Sequence, residues 1–235
     1  MRFNYQRKAS GIVRFWLAVV LAFLLPLAHA ETFTIEGKVK IYKKGGKRTL
    51  WNYNNAIAYL EGVSTPAPAE PAEVDQRKKK FLPRILPVVQ GQVVRFHNLD
   101  RVEHNVFSTE KKNTFDLGRY PTGEYRDQVY DEIGMYKVYC NIHKKMILDI
   151  IVVPNTYFAT TDKKGNYSIT GVPAGEYVLK VWHIYGGLVE LPISVQKDTV
   201  LPELSLTSTR VVREIEDHLN KEGMKYKVKS RRFYK

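Results

Sequence analysis

From residue 32 onwards, apolar and polar residues alternate in short runs rather than recurring every three or four positions. Thr32-Phe33-Thr34-Ile35-Glu36-Gly37-Lys38-Val39-Lys40-Ile41 keeps a period of two, and Ala56-Ile57-Ala58-Tyr59-Leu60 follows a Gly45-Gly46 turn and an asparagine-rich stretch. A period of two sends alternate side chains to one face, so both runs predict strands. Further β-rich segments lie at Ile85-Leu86-Pro87-Val88-Val89, Val93-Val94-Arg95-Phe96, His104-Asn105-Val106-Phe107, Met135-Tyr136-Lys137-Val138-Tyr139 and Ile147-Leu148-Asp149-Ile150-Ile151-Val152-Val153. Turn residues separate them and no long helical period intervenes, which describes an antiparallel sandwich. A third section, covering 162–169, 171–181 and 189–195, reads as hairpins joined by glycine turns.

The segments that break this pattern divide the chain. Arg2, Arg7, Lys8 and Arg14 precede an apolar run from Phe15 to Leu25 that closes on Ala28-His29-Ala30. This reads as a secretory signal over 1–30, cleaved after Ala30, because the run is short for a bilayer span of roughly 20 residues. Residues 64–73 carry Pro66, Pro68 and Pro71, which resist helix and sheet and make a stiff connector. Near the end, Val211, Ile215 and Leu219 fall four apart among charged residues, with Ser208 or Thr209 to start a helix and Gly223 to stop it. The expected organisation is all-β, with first strands over 31–63, a linker over 64–73 and sandwiches over 74–153 and 155–206. A short amphipathic helix and basic tail are expected over 207–235.

Charge narrows the choice of partner. The chain has 37 Lys and Arg against 24 Asp and Glu, a formal charge of +13. The expected signal holds four basic residues and no acids, which leaves 13 − 4 = +9 on the mature chain. A basic protein outside the cytoplasm points to acidic proteins or anionic surfaces rather than nucleic acid. Export normally goes with paired cysteines, yet Cys140 is the single cysteine and has no internal partner. It is therefore either a core thiol or a thiolate held by a metal.

Its neighbours favour the metal. Cys140 opens Cys140-Asn141-Ile142-His143-Lys144-Lys145-Met146, and His104 lies 36 residues upstream. The three-residue spacing puts Cys140, His143 and Met146 on one loop between two strands, free to curl around a single ion. Soft sulfur suits Cu(I), and imidazole suits both Cu(I) and Cu(II). Taken singly, His104 reads as a strand-end histidine, Cys140 as a core thiol and Met146 as a packing residue; their order and β context reverse this. Zinc also accepts Cys and His, but a thioether is a poor zinc donor. A hydrolytic zinc site would also need a water position and a base, for which Glu103 is at hand. His97 alternates with Val93 and Arg95 and is expected at the surface; His183 is expected to be structural, and His218 to lie on the polar side of the tail helix.

These residues resemble the cupredoxins, in particular the plastocyanin, pseudoazurin and amicyanin group. The matching stretches are Val93-Val94-Arg95-Phe96-x-Asn98, His104-Asn105-Val106, and Gly134-Met135-Tyr136-Lys137-Val138-Tyr139-Cys140-x-x-His143-x-x-Met146. The resemblance implies a Greek-key sandwich holding one mononuclear Cu(I)/Cu(II) ion. His104, Cys140 and His143 would be equatorial ligands and Met146 axial, with Asn105 bracing the two ligand loops. It further implies single-electron transfer through the His143 edge to a redox protein such as a c-type cytochrome or a periplasmic dehydrogenase. Arg101, Lys144 and Lys145 would steer an acidic partner. The two-residue gap before Met146 is most like the amicyanins associated with methylamine utilisation, although relatives often carry proline where this chain has Lys144.

A second resemblance lies downstream. Thr161-Asp162-x-x-Gly165-x-Tyr167-x-Ile169 and Gly171-Val172-Pro173-Ala174-Gly175-x-Tyr177-x-Leu179 are similar to the carboxypeptidase regulatory-like, or transthyretin-like, β-sandwich. That family also begins with strands like Gly37-Lys38-Val39 and Ala56-Ile57-Ala58-Tyr59-Leu60, so the copper unit would be inserted into a discontinuous sandwich of 31–63 and 155–206. Alternatively, the early strands join the cupredoxin sheet. The function expected is an exported electron carrier, not an enzyme, and the alternatives are copper delivery or storage and a metalloenzyme with an open metal position.

Overall fold

The computed structural model describes residues 31–50, 55–208 and 218–226. The expected signal sequence lies outside these residues, as do most of the expected tail helix and the basic end. Among the described residues the chain is all-β, and no helix there is long and apolar enough to cross a membrane.

The chain opens with β1 (Thr32–Tyr42) and β2 (Ile57–Glu61). It continues through β3 (Ala72–Gln76), β4 (Phe81–Leu82), β5 (Ile85–Val89), β6 (Val93–Asn98), β7 (His104–Glu110), β8 (Asn113–Tyr120), β9 (Tyr125–Val129), β10 (Gly134–Tyr139) and β11 (Ile147–Val153). It ends with β12 (Phe158–Thr160), β13 (Asn166–Pro173), β14 (Gly175–His183), β15 (Gly187–Val195), β16 (Thr199–Val200) and β17 (Leu204–Thr207).

Strands β3 to β11 form two facing sheets, in the orders β4-β3-β6-β9 and β5-β11-β10-β7-β8. Their inner faces carry Val74, Phe96, Val106, Tyr120, Val138 and Leu148, together with Cys140 and Met146 at one end. The other sandwich pairs the start of the chain with its end. β1 joins β13, β16 and β17, and β2 lies between β12 and β14, which pairs with β15. Its core is built on Ile35, Val39, Leu60, Ile169, Leu179 and Val195. The chain thus leaves one sandwich after β2 and returns to it at β12.

β2 and β11 are apolar along most of their length because both of their faces are covered; the exception inside β11 is Asp149, which Arg84 and Lys137 hold. In β11, Leu148, Ile150 and Val152 enter the core beside Cys140, whereas Ile151 and Val153 face the other way. There they meet Ile57 and Tyr59 of β2 and Trp182 of β14, with Ile85 completing a small third cluster between the sandwiches. Burying each aliphatic side chain contributes about 1.5–3 kcal/mol, so this shared cluster ties the two sandwiches together.

The structure differs from the sequence expectation in places. β3 begins at Ala72, inside the stretch expected to be linker, because the prolines end at Pro71 and Ala72 can pair in parallel with Val94. β8 and β9 were not expected. Much of each is exposed: β8 offers only the short alternation Phe115-Asp116-Leu117, whose apolar members pack against the core, and β9 carries Arg126, Asp127 and Gln128 on the flank of its sheet and lacks the apolar alternation that marks a half-buried strand. Residues 218–226 form a turn rather than helix, closed by the Gly223 amide donating to the Asn220 carbonyl at 2.9 Å.

Candidate metal centre

Three of the residues singled out by sequence converge at one end of the β3–β11 sandwich. His104 begins β7, and Cys140 and His143 follow β10. The His104 Nδ1 lies 3.8 Å from Cys140 Sγ, and the His143 Nδ1 lies 3.6 Å from it. The two Nδ1 atoms are 3.1 Å apart. Two nitrogens and one sulfur thus face a common point, all within 4.8 Å of one another. His104 and Cys140 are fully buried, while the His143 residue is partly exposed.

Local structure makes this meeting possible. The pairing of β7 with β8 slips between Asn105 and Phe107, the sort of irregularity that re-aims side chains beside a site. The loop carrying Cys140, His143 and Met146 is closed by the Cys140 amide donating to the Met146 carbonyl at 3.3 Å and the Met146 amide donating to the His143 carbonyl at 2.9 Å. Met146 is fully buried in the same core cluster as Cys140. Asn105 spans both ligand-bearing segments: its Oδ1 accepts from the Asn141 amide at 3.1 Å, and its Nδ2 donates to Asp116 at 2.6 Å and to the Gly118 carbonyl at 3.0 Å.

The loop before His104 is pinned by Asn98, whose Nδ2 donates to the carbonyls of Val102 and Tyr120. The same side chain accepts from the Asp100 amide at 3.0 Å. Asp100 in turn reaches the back of the site, its Oδ2 lying 2.9 Å from His104 Nε2. Burial raises the Asp100 pKa, but the Lys79 amide, His104 and the Lys78 amide outweigh it and hold the carboxyl below its usual range.

Electrostatics at the donors are mixed. Burial pushes the Cys140 thiol up, while the amides of Asn105, Ile142 and His143 pull it the other way. Burial, aided by nearby His104 and Lys79, lowers the His143 imidazole to about 4, so it is neutral at physiological pH.

Arg101, Lys144 and Lys145 are exposed at this end. Glu103 is exposed and pairs with Arg119 at 3.2 Å. His97 is turned to the surface side of β6 and pairs with Glu73 at 2.5 Å, and His183 is buried in β14.

His218 corrects the expectation of a solvent-facing helical position. It is half-buried, with its ring 4.6 Å from that of Tyr139, and its amide donates to the Lys144 carbonyl at 3.1 Å. Stacking on aromatic surface covers more of the ring than a polar helix face would. From there the tail runs over the ligand loop. The Lys221 amide donates to Asn141 Oδ1 at 2.9 Å, and the Tyr226 hydroxyl donates to the Cys140 carbonyl at 2.8 Å. Lys221 Nζ also lies 2.6 Å from Asp116, the carboxylate that holds Asn105. Sequence reading missed Asp100, Asp116, Lys221 and Tyr226. For Asp100 a faint signal existed, an acid four residues before a candidate ligand; the tail residues offered none.

No family model and no curated protein matches the chain. Solved structures do resemble part of it. A purple cupredoxin from Nitrosopumilus maritimus is 24% identical, with a TM-score of 0.32, over 35% of this chain and 99% of its own. Amicyanin from Paracoccus versutus is 22% identical, with a TM-score of 0.34, over 41% of this chain and 97% of its own. A copper-containing nitrite reductase from Thermus scotoductus is 23% identical, with a TM-score of 0.35, over 40% of this chain and 24% of its own.

Proposed function

We propose that His104, Cys140 and His143 hold one copper ion, with Met146 as the fourth donor, and that the protein carries single electrons between redox partners. The carrying observation is the convergence of two Nδ1 atoms and one Sγ at the buried end of a sandwich. This donor set fits copper: thiolate and thioether suit Cu(I), imidazole accommodates both valences, and bound copper would supply a one-electron couple.

The chain's own residues make the rest of the case. Asn105 and the closed loop hold the donors in place before a metal arrives, which reduces rearrangement between valences. Burial of His104, Cys140 and Met146 excludes water and favours electron transfer over substrate chemistry. Glu103, the base a hydrolytic site would call on, is committed to Arg119. The partly exposed His143 is the natural point of exit, and exposed Arg101, Lys144 and Lys145 favour an acidic redox partner, such as a cytochrome or a dehydrogenase. The basic, signal-like start of the sequence supports an exported, periplasmic setting.

Titration of the metal-free chain with Cu(II) tests the metal, and reversible voltammetry tests the function. Uptake with a reversible one-electron couple supports a carrier. Rapid surrender of copper to a mild chelator would instead indicate a delivery protein, and substrate turnover would indicate an enzyme.

A further inference from the structure

Asp100 lies outside the donor set, yet its position relative to the site is sharply defined. His104 is fully buried and uses its two ring nitrogens differently: Nδ1 faces Cys140 and His143, whereas Nε2 meets Asp100 Oδ2 at 2.9 Å. A ring nitrogen against a carboxylate keeps its proton, which leaves the other nitrogen with a free lone pair.

The carboxylate is itself held. Its Oδ1 accepts from the Lys78 amide at 2.5 Å and its Oδ2 from the Lys79 amide at 2.7 Å. Lys78 and Lys79 both adopt positive φ, 52° and 55°, a conformation uncommon for residues other than glycine. The turn carrying them is closed by reciprocal backbone bonds between Arg77 and Lys80, at 3.0 and 3.1 Å. Two consecutive amides thus converge on one carboxylate. On the other side, the Asp100 amide is tied to Asn98 and its carbonyl accepts from Thr122. The backbone of Asp100 is thus fixed by Asn98 and Thr122, and its carboxylate cannot swing away from His104 without breaking its bonds to the Lys78 and Lys79 amides.

We infer that Asp100 is a positioning residue for His104, a fixed carboxylate that sets the imidazole's tautomer and lends it negative charge. The inference rests on the copper reading above. A carboxylate behind a ligand imidazole raises its donor strength and favours the more highly charged Cu(II) over Cu(I). Asp100 would thereby hold the reduction potential down and tighten Cu(II) binding.

The test has two arms. In the metal-free wild-type protein at neutral pH, nitrogen NMR of His104 should show the proton on Nε2. A proton on Nδ1 overturns the inference and needs neither a variant nor copper. In the second arm, Cu(II) and Cu(I) affinities and the potential are compared between wild type and Asp100→Asn, which keeps an acceptor oxygen but removes the charge. Cu(II) affinity should fall about 10- to 100-fold, Cu(I) affinity should fall less, and the potential should rise. Equal losses for both valences, or no change in either, would make Asp100 a structural bracket and overturn the inference. A wild-type chain that takes up no copper overturns the copper reading by itself, whatever the NMR arm shows.

Discussion

At the residue scale, burial sets the behaviour of the histidines. His183 is buried in β14, and this pushes its imidazole down to about 4. In the unfolded chain the same group titrates near 6.5, so between about 6.5 and 4 the unfolded state binds more protons than the folded one. Stability is then fully present above about pH 6.5 and falls as pH drops towards 4, by about 2–3 kcal/mol from this group. His183→Asn should flatten that part of the pH–stability curve in urea melts, and an unchanged slope would assign it to other groups. The convergence of His104, Cys140 and His143 was legible from sequence because it is carried by residue type and short spacing. Asp100 was not, since its role depends on a turn at Lys78-Lys79 that only the folded sheet brings to it.

At the scale of elements, the ligand loop is gripped from two sides. Asn105 holds it from β7, and the tail holds it through Lys221 and Tyr226. The sequence hinted at the first grip through the Asn105 resemblance. It concealed the second, because residues 80 or more positions apart meet there and polar tail residues leave no periodic mark. The tail's bond to the Lys144 carbonyl restrains the loop directly after His143. Tyr226→Phe deletes the donor to the Cys140 carbonyl, a loss of about 1 kcal/mol. Copper release to a chelator, followed by stopped flow, should then quicken about fivefold. Release at the wild-type rate would show that the tail rests on the loop without bracing it. β9 leaves no mark in the sequence for a related reason, since a polar strand held by pairs such as Arg95 with Asp127 does not alternate in hydropathy.

Across the whole molecule, the strip between the sandwiches explains why β2 and β11 carry apolar residues on both faces, Asp149 aside. Trp182 packs there against residues of both sandwiches. Trp182→Ala should cost about 3–5 kcal/mol and split thermal unfolding into two calorimetric transitions; a single transition at a slightly lower temperature would show that the strip does not couple them. Charge acts at the same scale. Exposed Lys144 and Lys145 lie beside the proposed exit at His143. Neutralising both should slow reduction by an acidic partner about tenfold at low salt and flatten its salt dependence. Identical kinetics would place docking elsewhere.

The proposed function stands on Cys140 binding copper as a thiolate beside two imidazoles. Its most direct test is the visible absorption spectrum of the metal-free chain on addition of Cu(II), measured for wild type and for Cys140→Ser. Wild type should develop an intense thiolate-to-copper band that saturates at one ion per chain and is absent from the variant. A colourless wild-type protein, or a band that survives loss of the sulfur, would contradict it.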